Sequence, residues 1–244
     1  MQRPRISKDD LIFVIEPQVR RFCGPLFFTA SFDTPPGNIP HNASFGLIDT
    51  GKMKLLVTCH HVWNDFKELR SENPKLMFGV CFDMPKPIVI TDPDSLVVDE
   101  DKRCDLVTFN MESLLSICVS GGLEFFNLRE NRPPKITVGD VLYCIGFPGK
   151  GRETNEHSVG FPRQPIGVQA TELGQFRFLA DVTNLEKQAE DFGGISGSPC
   201  FLVRENKPIR LVGFTTGYAP NSMNRLSFVY VNCIDPDGTI NYMV

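Results

Sequence analysis

The chain has 244 residues, 41% hydrophobic and 22% charged, enough for one large domain or two small ones around a well-buried core. Its formal net charge is −4 with no long basic tract, so the electrostatic footprint of a nucleic-acid binder is missing. No apolar run reaches the about 18 residues of a membrane-spanning helix, and the apolar stretch Leu11 to Ile15 is too short for an export-signal core.

In chain order, Ser7-Lys8-Asp9-Asp10 reads as the cap of a short helix that Pro17 ends. Val19 to Phe22 and Pro25 to Phe32 read as strands, and Asp33 to Asn38 as a Pro- and Gly-bearing loop. Ala43 to Ile48 and Met53 to Thr58 predict a hairpin, with His60 and His61 ending its second strand and one or two helical turns over Val62 to Arg70. Lys75 to Phe82, Pro87 to Thr91, Ser95 to Val98 and Asp105 to Asn110 are further short strands, followed by a connection over 111–136. The same texture then returns in Asp140 to Gly146, Pro165 to Thr171, Gln175 to Val182, Pro199 to Val203, Ile209 to Thr216 and Leu226 to Val231. Short strands between regular turn signals predict an all-β barrel or sandwich, divided into an N-terminal half, 1–120, and a C-terminal half, 121–244.

Within this frame one stretch concentrates chemistry: Gly193-Gly194-Ile195-Ser196-Gly197-Ser198-Pro199. Its glycines allow a tight turn that exposes the Ser196 hydroxyl and lets the amides of Gly194 and Ser196 converge, as nucleophile and oxyanion donors must. Serine is a weak nucleophile unless a base and an orienting group assist it. The histidines are His41, His60, His61 and His157, and two of them stand at the end of the apolar run Lys54 to Thr58. Asp105 leads into a second apolar run, whereas Asp99, Glu100 and Asp101 form a charge cluster that reads as solvated. A Cys59/His60/His61 metal site lacks the usual ligand spacing, and no metal is expected.

These segments resemble the motifs of the chymotrypsin/trypsin-like serine peptidases. LLVTCHHV resembles their histidine motif, CDLVTF their aspartate motif and GGISGSP their serine motif. YCIGFPG (143–149) resembles a strand of the bacterial-type members, and VGFTTG (212–217) the strand lining their substrate cleft. Order, spacing and motifs agree over roughly residues 20–235. The resemblance implies two six-stranded antiparallel β-barrels with the active site in the cleft between them. It implies Ser196 as nucleophile, His61 rather than His60 as general base, Asp105 as orienter, and Gly194 and Ser196 as the oxyanion hole. The pocket floor would fall at Glu190, where an acidic side chain would favour Lys or Arg; the alternative is that Leu185 to Asp191 is a solvated helix-like stretch. Thr215, Thr216, Gly217 and Tyr218 would form the cleft wall.

Ile195 stands where zymogen-activated members carry aspartate, and no new-amine sequence precedes the first strand, so activity as made, or switched by a regulatory protein partner, is the expectation. Val62 occupies the place where secreted relatives often have a bridged cysteine. Together with the missing export signal, this predicts that the eight cysteines are reduced small hydrophobes and that the protein is cytoplasmic. The reading is a serine endopeptidase acting on polypeptide with no cofactor, no nucleic acid and no membrane. A silent peptide-binding module and an esterase on the same machinery are the alternatives.

Overall fold

The computed structural model describes residues 10–30, 42–80, 88–148, 153–155, 158–182, 193–218 and 225–242. Two mainly antiparallel β-systems divide them. The first is an eight-stranded curled sheet built from β1 (Cys23–Thr29), β2 (Asn42–Asp49), β3 (Lys54–Thr58), β4 (Met77–Val80), β5 (Ile88–Ile90), β6 (Val97–Asp101), β7 (Leu106–Asn110) and β8 (Phe126–Asn127). Its path runs β5-β4-β1-β2-β3-β7-β6, with β8 paired to β2 in the one parallel pairing among the described residues.

After β9 (Val141–Gly146) and the small β10 (Glu153–Asn155)/β11 (Ser158–Gly160) ribbon come β12 (Gln164–Leu173), β13 (Arg177–Val182), β14 (Pro199–Leu202), β15 (Arg210–Tyr218) and β16 (Arg225–Tyr230). These close into a six-stranded barrel in the order β12-β13-β16-β15-β14-β9. The architecture is the all-β, two-barrel chymotrypsin-like one. Its first half is an open curl among the described residues, with β5 and β6 at the edges.

Each half has an apolar core, and a third cluster joins them. Phe28, Trp63, Phe66, Phe78 and Phe109 fill the first half, with Trp63 edge-on to Phe109 at 5.2 Å between ring centroids, a geometry aromatic pairs favour. Phe178, Phe228, Ile195 and Cys200 belong to the barrel core. Val57 and Leu106 from the first half pack with Phe201, Phe214 and Val229 from the second. This shared apolar layer fixes how the strand ends of one half face the loops of the other.

Several local expectations change. Residues 10–22 are helical throughout, as a π-turn, α1 (Glu16–Val19) and a 3-10 turn, so Val19 to Phe22 is not a strand. Pro17 sits in the first turn of α1, where its missing N–H costs no hydrogen bond, and so it does not end the helix. The two histidines do not end a strand: β3 stops at Thr58 and His60 opens α2 (His60–Glu72), longer than foreseen. Its buried Val62, Trp63 and Phe66 lie on one helical stripe. Asp94–Leu96 is a 3-10 turn before β6, and α3 (Leu115–Ser120) interrupts the connection. Ser7, the 33–38 loop, Cys81 and Glu190 lie outside the described residues. The seven described cysteines are buried and free, and no described helix is long and apolar enough to cross a membrane.

Candidate active site

Sheet register places the aspartate. In the β3–β7 ladder Thr58 stands opposite Val107, so the same register carried two residues on sets position 105 opposite position 60, beside the start of α2. Asp105 itself precedes β7 in a turn, with φ of +57°, a left-handed conformation that Asp and Asn adopt more readily than other side chains. The turn aims its carboxylate at the helix. One oxygen, Oδ1, accepts the His61 backbone N–H at 2.9 Å. The other, Oδ2, lies 2.8 Å from His61 Nδ1. The first-turn amides of a helix have no partner within the helix, and an anion is favoured there by the helix dipole. Asp105 therefore caps α2 and orients the imidazole with the same group.

His60 takes another direction: its Nε2 is 3.9 Å from Glu100 Oε2. The choice between the two histidines is thus made by the helix, in which neighbouring side chains diverge by about 100°. Burial alone would lower the His61 pKa, but its hydrogen bond to Asp105 and the charges of Asp105 and Asp65 outweigh that and raise it above the ordinary imidazole value. A general base must be neutral to take a proton. The acid limb of kcat/KM should therefore have its midpoint above that of an unperturbed histidine. Asp65→Asn should move the midpoint to lower pH while the plateau changes little, as read from pH–rate profiles of the two proteins.

The serine loop docks onto these elements. Ser44 N on β2 donates to Ser196 O at 2.9 Å, and Ser44 Oγ donates to Gly194 O at 2.7 Å. Gly197 N donates to Thr215 O at 2.8 Å, and the same carbonyl accepts Cys59 Sγ at 3.2 Å. The residue after Ser196 and the residue two before His61 thus share one acceptor. Ile195 is buried in the barrel core. Gly194 (φ +98°) and Gly197 (φ +91°) supply the left-handed turns around Ser196. Ser196 is half-buried, and among the described residues no acceptor takes the amides of Gly194 and Ser196.

Gly197 has a second reason to be glycine: a Cβ there would lie 2.1 Å from Ser44 O and 2.5 Å from Thr58 Oγ1. Gly197→Ala should displace the loop. Its cost should exceed the roughly 1–2 kcal/mol of left-handed strain alone, read as a lowered denaturation midpoint together with lost activity.

The cleft-wall residues divide. Thr215 is fully buried, its carbonyl is taken as above and its amide donates to Ser198 O at 2.8 Å, so it supports the loop and presents nothing to the cleft. Thr216 is half-buried and its Oγ1 lies 3.2 Å from Ser227 Oγ. At Gly217, with φ of +129°, an added Cβ would meet nothing within 4 Å among the described residues. Tyr218 ends β15. Cys59, His61 and Asp105 carry donor atoms within 4.8 Å of one another, a set that zinc could use. Burial first, and the Asp105 charge second, push the Cys59 thiol well up.

The sequence reading missed Ser44 and Thr58. Each lies in an ordinary strand pattern, and only the tertiary contact shows its part.

No model of a known protein family matches the chain, and no curated protein does. Solved structures do match in fold. A serine endoprotease from Yersinia pestis superposes with a TM-score of 0.58 at 15% identity, over 95% of this chain and 64% of that one, so the chain spans under two thirds of that protein. The active form of the Rv3671c protease from M. tuberculosis gives a TM-score of 0.55 at 12% identity, over 95% of this chain and 88% of that one. Deg5 gives 0.53 at 12% identity, over 90% and 89% respectively. At these identities the likeness shows a serine-protease fold.

Proposed function

We propose that the protein is a serine endopeptidase that cleaves polypeptide through an acyl-enzyme. The observation that carries this reading is the Asp105 carboxylate bonded to His61 Nδ1 at 2.8 Å, beside a glycine loop that presents Ser196. Similar folds in proteins named as serine proteases support it.

Asp105 holds the proton on Nδ1, which leaves Nε2 as the base and stabilises the imidazolium once it forms. His61 takes the Ser196 proton as Oγ attacks the substrate carbonyl, and returns it to the leaving amine. The Gly194 and Ser196 amides receive the oxyanion. Water then attacks the acyl-enzyme with His61 again as base, releasing the acid and restoring Ser196.

The test is incubation with an unstructured polypeptide pool, followed by mass spectrometry of new N-termini. The wild type should generate them and Ser196→Ala should not. Cleavage of small esters without any cleavage of peptide would replace this reading with an acyl hydrolase on the same residues.

A further inference from the structure

Resting on the peptidase reading, we propose that Ser44 is a positioning residue for the oxyanion hole. Ser44 is fully buried on β2, in the first half, while the loop it grips belongs to the second. Phe147 N, just beyond β9, donates to Ser44 Oγ at 3.2 Å. With that amide filling an acceptor position, the Ser44 proton points to Gly194 O at 2.7 Å. The carbonyl so held belongs to the peptide unit between the two whose N–H groups would face the substrate. The Ser44 amide fixes a second loop carbonyl, that of Ser196, at 2.9 Å.

Ser44 is fixed in turn: its own carbonyl accepts Thr58 Oγ1 at 2.8 Å and stands where any Cβ on Gly197 would collide. Below the loop, Ile195 packs so closely over Gly146 that a Cβ there would lie 2.3 Å from Ile195 Cγ2. A hydroxyl above and an apolar anchor below therefore hold the loop.

Donors aimed where charge develops act only if their direction is fixed beforehand. A free Gly194 carbonyl could rotate its peptide unit and turn the loop's amides away from the cleft. The clamp thus acts on the transition state more than on the bound peptide, which contacts other residues.

Ser44→Ala removes the hydroxyl, and Ser44→Cys nearly keeps its volume while offering only a weak S–H donor. Both should lose about tenfold or more in kcat, with KM within about twofold of wild type. Affinity for a peptide boronate, whose tetrahedral adduct on Ser196 fills the hole, should fall by the same factor as kcat, and affinity for a non-reacting peptide competitor should not. Full kcat in Ser44→Cys would assign Ser44 a space-filling part and overturn the proposal, as would parallel losses in boronate and competitor binding. A wild type that cleaves nothing would sink the peptidase reading instead. Amide hydrogen exchange over 193–198 then decides Ser44 alone. Faster exchange in both variants at unchanged global stability upholds the clamp; exchange as slow as wild type refutes it.

Discussion

Ser196→Ala is expected to lower kcat by on the order of a millionfold, with His61→Ala close behind and the double variant no worse than either. Nucleophile and base act as one unit, so removing the first leaves the second nothing to activate. What activity persists comes from the oxyanion amides and from binding, which both substitutions leave in place. His60→Ala supplies the contrast. His60 faces Glu100 at 3.9 Å and takes no part in the Asp105–His61 hydrogen bond, so its loss should change kcat by less than a few-fold. Steady-state kinetics on one peptide substrate covers the whole set, and a dead His60→Ala would reverse the assignment of the base.

Asp105→Asn is expected to cost about ten-thousandfold in kcat with the fold intact. Asparagine tolerates the left-handed backbone at φ of +57° nearly as well as aspartate, and its Oδ1 can still accept the His61 amide that Asp105 holds at 2.9 Å. The change falls on the other oxygen. An amide N–H2 opposite Nδ1 makes that nitrogen an acceptor and moves the imidazole proton to Nε2, where a base needs a lone pair. The helix stays capped while the base is switched off. Circular dichroism and denaturation should therefore match wild type while turnover collapses. An Asp105→Asn protein that unfolds would show that capping α2 is its larger task.

The fold was legible in the residues, and so was the chain order of the candidate site, because both rest on local signals. Short strands between Pro, Gly and Asp turns mark a β-protein. The step from Ala43 to Thr58 came out as the β2–β3 hairpin, with pairing such as Leu47 to Leu56. Most strands of the second half fell within a residue or two of their expected bounds.

What local signals could not carry was the outcome of competition with tertiary contacts. Val19 to Phe22 has strand-like residues, yet the turn buries Val19 and Phe22 against the layer shared by the two halves, and that packing overrides β-propensity. His60 and His61 look like a strand's end because α2 begins with no capping side chain of its own. Its cap comes from Asp105, far along the chain. Thr215 reads as a cleft residue by position, but it is fully buried, and the register shifts between it and the half-buried Gly217. Ser44 gave no sign at all, since its hydrogen bonds to the 194–196 loop cross between the two halves.

The peptidase reading requires an activated serine at position 196. Labelling folded protein with a fluorophosphonate tests it directly, because only an activated hydroxyl displaces fluoride from phosphorus at a useful rate. A stoichiometric adduct is expected on the peptide containing Ser196, lost in Ser196→Ala and strongly slowed in His61→Ala. A folded wild-type protein that stays unlabelled, or one whose label survives in Ser196→Ala, would contradict that reading.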